Sequence, residues 1–372
     1  MTSIAIPREI KDNESRVGGT TATVSELKKH GHTIYVEKNA GLAIGITDEM
    51  YKMAGAIILE TAAEIYAKGD VILKVKEPQA SEIKMLKKGQ AIFSYLHLAP
   101  DKEQTAGLVA SGCHAIAFET VTANDGTLPL LAPMSEVAGK ISTQKIAQYL
   151  EKVNGGSGIL LGGVPGTKRG KITIIGGGFS GYNAAIVALG MGAEVTILDK
   201  SLKKIRELDA IFQGKATILY ASTENVEKSV MEADGLVGAV LIPGAAAPKV
   251  VSRALIAKMK PGSVAVDIAI DQGGCFETSK PTSHSKPVYV EEGVTHYCVT
   301  NMPGNLARTS SFALENATLP FTIEIANKGF VKALKENIHL RNGLNVAEGK
   351  VTYKAVAENL GYEFTDPISI LG

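Results

Sequence analysis

From residue 171 to residue 300, short aliphatic and β-branched runs alternate with longer helical patterns, and this alternation constrains the fold more than any other feature of the chain. KITIIGGG is a strand ending in glycines and GYNAAIVALGMG a helix; AEVTILD is the next strand and SLKKIRELDAIF a charged amphipathic helix. The strand ATILYA, the helix ENVEKSVMEAD, the strand LVGAVLI, the helix VVSRALIAKMKPG and the strands SVAVDIAI and THYCVT complete the series. Strands this continuously apolar, separated by helices of about 10 to 15 residues, belong to a parallel sheet covered on both faces. Six of them make one doubly wound nucleotide-binding fold. The first 120 residues repeat the rhythm with SIAIP, TIYVEKN, AIILE, DVILKVKEP, AIFSYLH and HAIAFET. After about residue 308 the strand signal disappears and the pattern is helical, so this tail is expected to return to the first domain. The fold class is therefore α/β, with two Rossmann-like parallel-sheet domains separated by a cleft. Residues 1–129 and 308–372 form the substrate-binding domain and residues 130–307 the nucleotide-binding one.

Composition narrows the function classes. With 39 Lys and Arg against 38 Asp and Glu, the net charge is +1, so no long-range field gathers polyanions and no nucleic acid partner is expected. The three cysteines, Cys113, Cys275 and Cys298, are widely spaced and form neither a C-x-x-C pair nor a zinc set. The N-terminus reaches charge within eight residues, and no apolar run approaches the ~18 residues of a membrane span. The expectation is a cytoplasmic protein without metal or membrane partner.

Gly176, Gly178 and Gly181 form G-x-G-x-x-G in GGGFSG, directly after a strand and at the start of a helix. Asp199 follows at the end of the next strand. Gly176 makes the tight turn, Gly178 admits the pyrophosphate, and Gly181 lets helix and strand pack closely. A carboxylate at Asp199 accepts both ribose hydroxyls and repels a 2′-phosphate, which selects NAD over NADP.

In parallel sheets the ligand crevice lies beyond the carboxyl ends of the strands. In the second domain that rule selects Asp271 after SVAVDIAI, and Asn301 with Met302 after THYCVT. In the first it selects Arg16, Lys76 in LKVKEP, and His97 after AIFSYLH. Two permanent cations and an imidazole facing a carboxylate suit a small anion that carries a group to be protonated or deprotonated. Each has a competing structural role: Lys76 can pair with its neighbour Glu77, and His97 can be a satisfied core histidine. Asp267, inside SVAVDIAI, reads as a buried structural carboxylate, and Asp271 is the better acid/base candidate. The remaining histidines fit no metal pattern.

The segments IPREIKDNESRV, LKVKEP, YLHLA, AFETV, LPLLAPMSEVAGK, GILLGGVPG, IIGGGFSGYNAA, LIPGAAAPK, MKPGSVAVDIAIDQGG and NMPGNLARTS resemble the alanine dehydrogenase family, which also includes the NAD(H)-binding subunit of proton-translocating transhydrogenase. The resemblance implies reversible oxidative deamination of L-alanine to pyruvate and ammonia with NAD, in a homohexamer. It implies further that Arg16 and Lys76 hold the substrate carboxylate, His97 the amine or carbonyl end, and Asp271 acts as general acid/base. Ser135, Asp199, Lys204, Asn301 and Met302 would line the cofactor. The chain departs from the family pattern at Thr21, where a proline is usual, at Ala246 in place of lysine, and at Ala221 in place of serine. Those departures bear on the loop carrying Arg16 and on cofactor affinity. Two other readings stay open: a transhydrogenase NAD(H)-binding subunit, or a nicotinamide-binding sensor without turnover.

Overall fold

The computed structural model describes residues 1–240 and 247–372. The chain divides into two compact units, one formed by Met1–Met134 with Gly304–Gly372 and the other by Ser135–Pro303.

Among the described residues, the first unit is built on an eight-stranded sheet. In spatial order its strands are Lys350–Val351, Leu344–Ala347, His114–Ala117, Ala91–Ser94, Val71–Leu73, Ser3–Ile6, Thr33–Glu37 and Ile57–Leu59. The six N-terminal strands are all parallel and run 3-2-1-4-5-6 across the sheet, so the order reverses between Ser3–Ile6 and Val71–Leu73. That reversal is where an open α/β sheet offers a crevice. Strands Val71–Leu73, Ala91–Ser94 and His114–Ala117 are buried at every residue, as their unbroken apolar sequences require.

The second unit repeats the order. Lys171–Ile175 is flanked by Glu194–Asp199 and then Thr217–Tyr220 on one side, and by Gly235–Gly238, Val264–Asp267 and Val294–Tyr297 on the other, all parallel. Val288–Glu291 adds an antiparallel edge strand.

Several elements differ from the sequence reading. The tail is not purely helical: Leu344–Ala347 pairs antiparallel with His114–Ala117 and turns back into Lys350–Val351. Glu348 and Gly349 both take positive φ (49° and 79°), the geometry of a two-residue hairpin turn. The helix read from VVSRALIAKMKPG shrinks to Arg253–Ile256, because Lys249 Nζ donates to the carbonyls of Gly273, Gly274 and Phe276 and holds the preceding residues against that loop. The strand read from SVAVDIAI stops at Asp267 and becomes a 3-10 turn over Ile268–Gln272. Ala246 lies outside the described residues. Thr21 is the first residue of the helix Thr21–Lys29, a position where proline and other residues are interchangeable.

No helix among the described residues is long and apolar enough to cross a membrane.

Candidate active site

In the first unit the candidate residues follow the strands at the reversal point. Arg16 comes after Ser3–Ile6 and Lys76 after Val71–Leu73. The two segments touch: a Cβ added to Gly18 would stand 2.4 Å from the Leu73 carbonyl oxygen. Arg16 is almost wholly buried, and its guanidinium plane is set by Glu14. Nε donates to Glu14 Oε1 at 2.7 Å, Nη2 to Oε2 at 2.5 Å, and Nη1 faces the Met134 sulfur at 3.1 Å. The loop beyond it is pinned from the C-terminal tail. Ser311 Oγ accepts from Val17 N, and the buried Glu315 carboxylate accepts from the backbone and hydroxyl of both Thr20 and Thr23.

Lys76 lies 3.7 Å from Glu77 Oε2, an ion-pair distance rather than a hydrogen bond. Lys11 holds the other oxygen of Glu77. Burial pushes the Glu77 carboxyl up, but Lys76 and Lys11 outweigh it and hold it below the usual carboxylate range. Beneath, Lys74 is fully buried between Glu9 (3.0 Å) and Glu82 (2.8 Å), and Glu9 Oε1 accepts from Val75 N at 2.7 Å, which fixes the strand end that carries Lys76.

His97 is exposed, so it is no core histidine. Its ring stacks on Tyr95 at 5.8 Å, and Tyr95 lies within electrostatic reach of Arg16, so the tyrosine links the two candidates. Burial pushes the Tyr95 hydroxyl well up, against the opposing pull of Arg16, and the hydroxyl bonds the Leu130 carbonyl.

In the second unit the three glycines have separable causes. Gly176 has φ +98°, and a Cβ there would meet the Ala239 carbonyl oxygen at 2.6 Å. At Gly181 a Cβ would sit 1.8 Å from the Gly176 carbonyl oxygen. Gly178 is different: φ is −68°, and a Cβ would meet nothing within 4 Å. The chain itself asks for no glycine at 178. An open cradle against the first turn of Phe179–Gly190, a helix that no side chain caps, fits a pyrophosphate held on helix N–H groups.

Asp199 ends its strand with Oδ2 accepting from Gly177 N at 2.8 Å and Oδ1 from Ser201 N at 2.7 Å. These bonds orient the carboxylate and leave each oxygen a further lone pair for a ribose hydroxyl. Lys204 pairs with Glu207 at 2.6 Å. Ser135 is half-buried on the helix Ala132–Tyr149, which crosses the fingerprint helix so closely that a Cβ on Gly139 would stand 2.1 Å from the Ser180 carbonyl oxygen. Asn301 holds a left-handed backbone (φ 58°) and its carbonyl faces His284 Nε2 at 3.2 Å; Met302 is buried beside it.

Asp267 is a structural carboxylate. It accepts from the backbone of Ala269, Cys275 and Phe276 and from Ser279 Oγ, and so turns the chain out of the sheet. Asp271 sits on the resulting turn, exposed and without a side-chain hydrogen bond among the described residues. Among those residues no group of three or more His, Cys, Asp or Glu side chains could hold a metal ion.

The model of the Alanine dehydrogenase/PNT N-terminal domain matches residues 5–138, and that of the C-terminal domain residues 142–354. The chain belongs to the alanine dehydrogenase family. It is 52% identical over 369 residues to the alanine dehydrogenase of Halomonas elongata, covering 99% of this chain and 100% of that one. A solved L-alanine dehydrogenase superposes with a TM-score of 0.94 at 44% identity, covering 96% of this chain and 99% of the other. A solved transhydrogenase from Sinorhizobium meliloti is more distant, with a TM-score of 0.81 at 26% identity over 95% of this chain and 99% of that one. The alanine dehydrogenase reading is thereby favoured over the transhydrogenase one.

Sequence reasoning missed Glu14, Tyr95, Glu119, Met134 and Gly177. Glu119 had a usable signal, because it lies just past the carboxyl end of His114–Ala117 and the rule that selected His97 selects it too. At Gly177 a Cβ would meet Leu208 Cδ1 at 2.4 Å, the tip of a side chain that would have to turn aside. That contact is invisible in a glycine pattern.

Proposed function

We propose that the protein catalyses the reversible, NAD-dependent oxidative deamination of L-alanine to pyruvate and ammonia. The observation that carries this reading is the full-length relation to alanine dehydrogenases in a chain whose first unit sets Arg16 and Lys76 just beyond the two strands where the sheet order reverses. NAD supplies the hydride acceptor for the alanine Cα. The residues that would hold it are Gly176, Gly178 and Gly181 around the pyrophosphate and Asp199 at the ribose, with Ser135, Lys204, Asn301 and Met302 lining the rest.

Arg16 and Lys76 bind the carboxylate, with charge-assisted bonds worth about 1.5 to 3 kcal/mol each. Glu14 keeps the guanidinium in one plane, and the long Lys76–Glu77 contact leaves the ammonium able to turn to substrate. Only a neutral amine can push electrons into the forming iminium, so the ammonium first gives a proton to solvent water. Water adds to the iminium carbon, Asp271 takes its proton, and His97 hydrogen-bonds the new oxygen. Asp271 returns that proton to the nitrogen, the hydroxyl proton passes to solvent, and the adduct collapses to ammonia and pyruvate while the substrate carboxylate stays bound throughout. General acid/base assistance of this kind is worth about 10² to 10⁴ in rate.

The protein works as a homohexamer in the cytoplasm on this reading, the latter supported by three buried, unpaired cysteines. NADH formation from NAD with L-alanine, L-serine or glycine, without membranes, is the test. Alanine-dependent turnover is expected. Turnover indifferent to amino acid would favour the transhydrogenase reading, and nucleotide binding without turnover the sensor.

A further inference from the structure

His97 occupies the left-handed backbone region at φ +49°, a conformation uncommon for non-glycine residues, and here it is held by side chains. The surroundings are specific. Glu119 Oε1 accepts from His97 N at 2.6 Å, and both Glu119 oxygens accept from Leu96 N at 3.2 Å. Gln104 Nε2 donates to the Leu96 carbonyl at 2.9 Å, so the turn is held on both its donor and acceptor sides. Glu119 Oε1 also stands 3.9 Å from His97 Nδ1, while the ring lies parallel to Tyr95, which in turn makes an edge-to-face contact with Phe118.

We infer that Glu119 is the positioning residue for His97. It clamps the left-handed turn, and its carboxylate, 3.9 Å from Nδ1, favours by electrostatic attraction the tautomer with the proton on that nitrogen and Nε2 presented to substrate. An imidazole's tautomer follows the partner of its second nitrogen, and at 3.9 Å that partner acts as a charge and not through a hydrogen bond. Glu119 acts through His97, and its use in turnover rests on the function proposed above.

The variants separate the two duties. Glu119→Gln keeps an oxygen for the backbone N–H groups and removes the charge, whereas Glu119→Ala removes both. Histidine nitrogen NMR on the full-length protein is expected to show His97 protonated at Nδ1, and in Glu119→Gln to show a shift towards Nε2–H. In pyruvate amination, Glu119→Ala is expected to lower kcat about tenfold or more while NADH affinity stays within about twofold, with Glu119→Gln between it and wild type. The double variant His97→Ala/Glu119→Ala is expected to be no slower than His97→Ala alone, since the two act as a unit. An unchanged His97 tautomer in Glu119→Gln overturns the inference, as do losses that multiply in the double variant. A wild-type protein without alanine turnover would defeat the functional reading alone, because the NMR comparison still decides the role of Glu119.

Discussion

Substituting Gly178 by alanine separates a glycine that the chain needs from one that a ligand needs. The added Cβ meets no protein atom within 4 Å and the backbone φ of −68° suits an L-residue. Restricting the unfolded chain stabilises by about 0.4 to 1 kcal/mol at such a site. Alanine in place of glycine at a helix N-cap costs about 0.5 to 1 kcal/mol. The two offset, so the melting temperature is expected to move by no more than about 2 to 4 °C. The ligand does not escape so lightly. On the proposed placement of the pyrophosphate against Gly178, a methyl group there is an overpacking change of about 1 to 3 kcal/mol, a five- to 150-fold loss of NADH affinity, roughly. Gly181→Ala is the control: its Cβ would lie 1.8 Å from the Gly176 carbonyl oxygen, backbone that cannot move aside, and it should cost about 3 kcal/mol of stability. Thermal melts and NADH fluorescence titrations on both variants read the two quantities. Wild-type NADH affinity in Gly178→Ala, or unfolding as severe as in Gly181→Ala, would refute the reasoning.

Asp271→Asn should bind NADH as the wild type does and lose about 10² to 10⁴ in kcat; near-normal turnover at saturating alanine removes Asp271 from the mechanism. Lys76→Ala should raise the alanine KM and lower kcat together, and an unchanged KM would leave the lysine as no more than a partner of Glu77. Glu315→Ala strands four donors from Thr20 and Thr23 in a buried site, and should lower stability by about 3 kcal/mol in urea titrations; a loss below about 1 kcal/mol would mean that the loop after Arg16 is held otherwise. Lys76 and Lys11 hold Glu77 below its usual value of 4.5, so the unfolded chain takes up protons there first as the solution is acidified. The stabilisation is therefore complete above that value and is lost as pH falls through the lower, folded one. Glu77→Gln should flatten this part of the stability–pH curve, and an unaltered slope would contradict the assignment.

The fold was legible where burial on both faces forces continuous apolar strands, as in Val71–Leu73, Gly235–Gly238 and Val264–Asp267. It was illegible where a polar residue breaks the apolar run, as the buried Asn345 does in Leu344–Ala347, or where a strand lies at the sheet edge. Leu344–Ala347 with Lys350–Val351 makes only a few ladder pairs, and its turn residues, Glu348 and Gly349, carry no strong hairpin signature. Val288–Glu291 is half exposed, so its pattern is mixed. SVAVDIAI reads as one long strand because its second half is as apolar as the first; Asp267 ends it by hydrogen-bonding Ala269 N, a side-chain choice that periodicity does not encode.

For the site, strand-end position was informative because the doubly wound sheet gathers loops at one edge whatever their sequence. That rule alone selects Arg16, Lys76 and His97 as candidates. What the rule conceals is the charge state of the neighbourhood. Arg16 is neutralised by Glu14 two residues before it, Lys76 shares Glu77 with Lys11, and Lys74 lies buried between Glu9 and Glu82. A cluster counted as cations in the sequence is a set of ion pairs in the fold. On the reading proposed above, a small carboxylate would join these pairs, with Glu14 still holding the Arg16 guanidinium, instead of filling a bare positive hole. A buried pair that loses one partner leaves an uncompensated charge, so on that reading Glu14 stays on Arg16 while the longer Lys76–Glu77 contact leaves that ammonium able to turn.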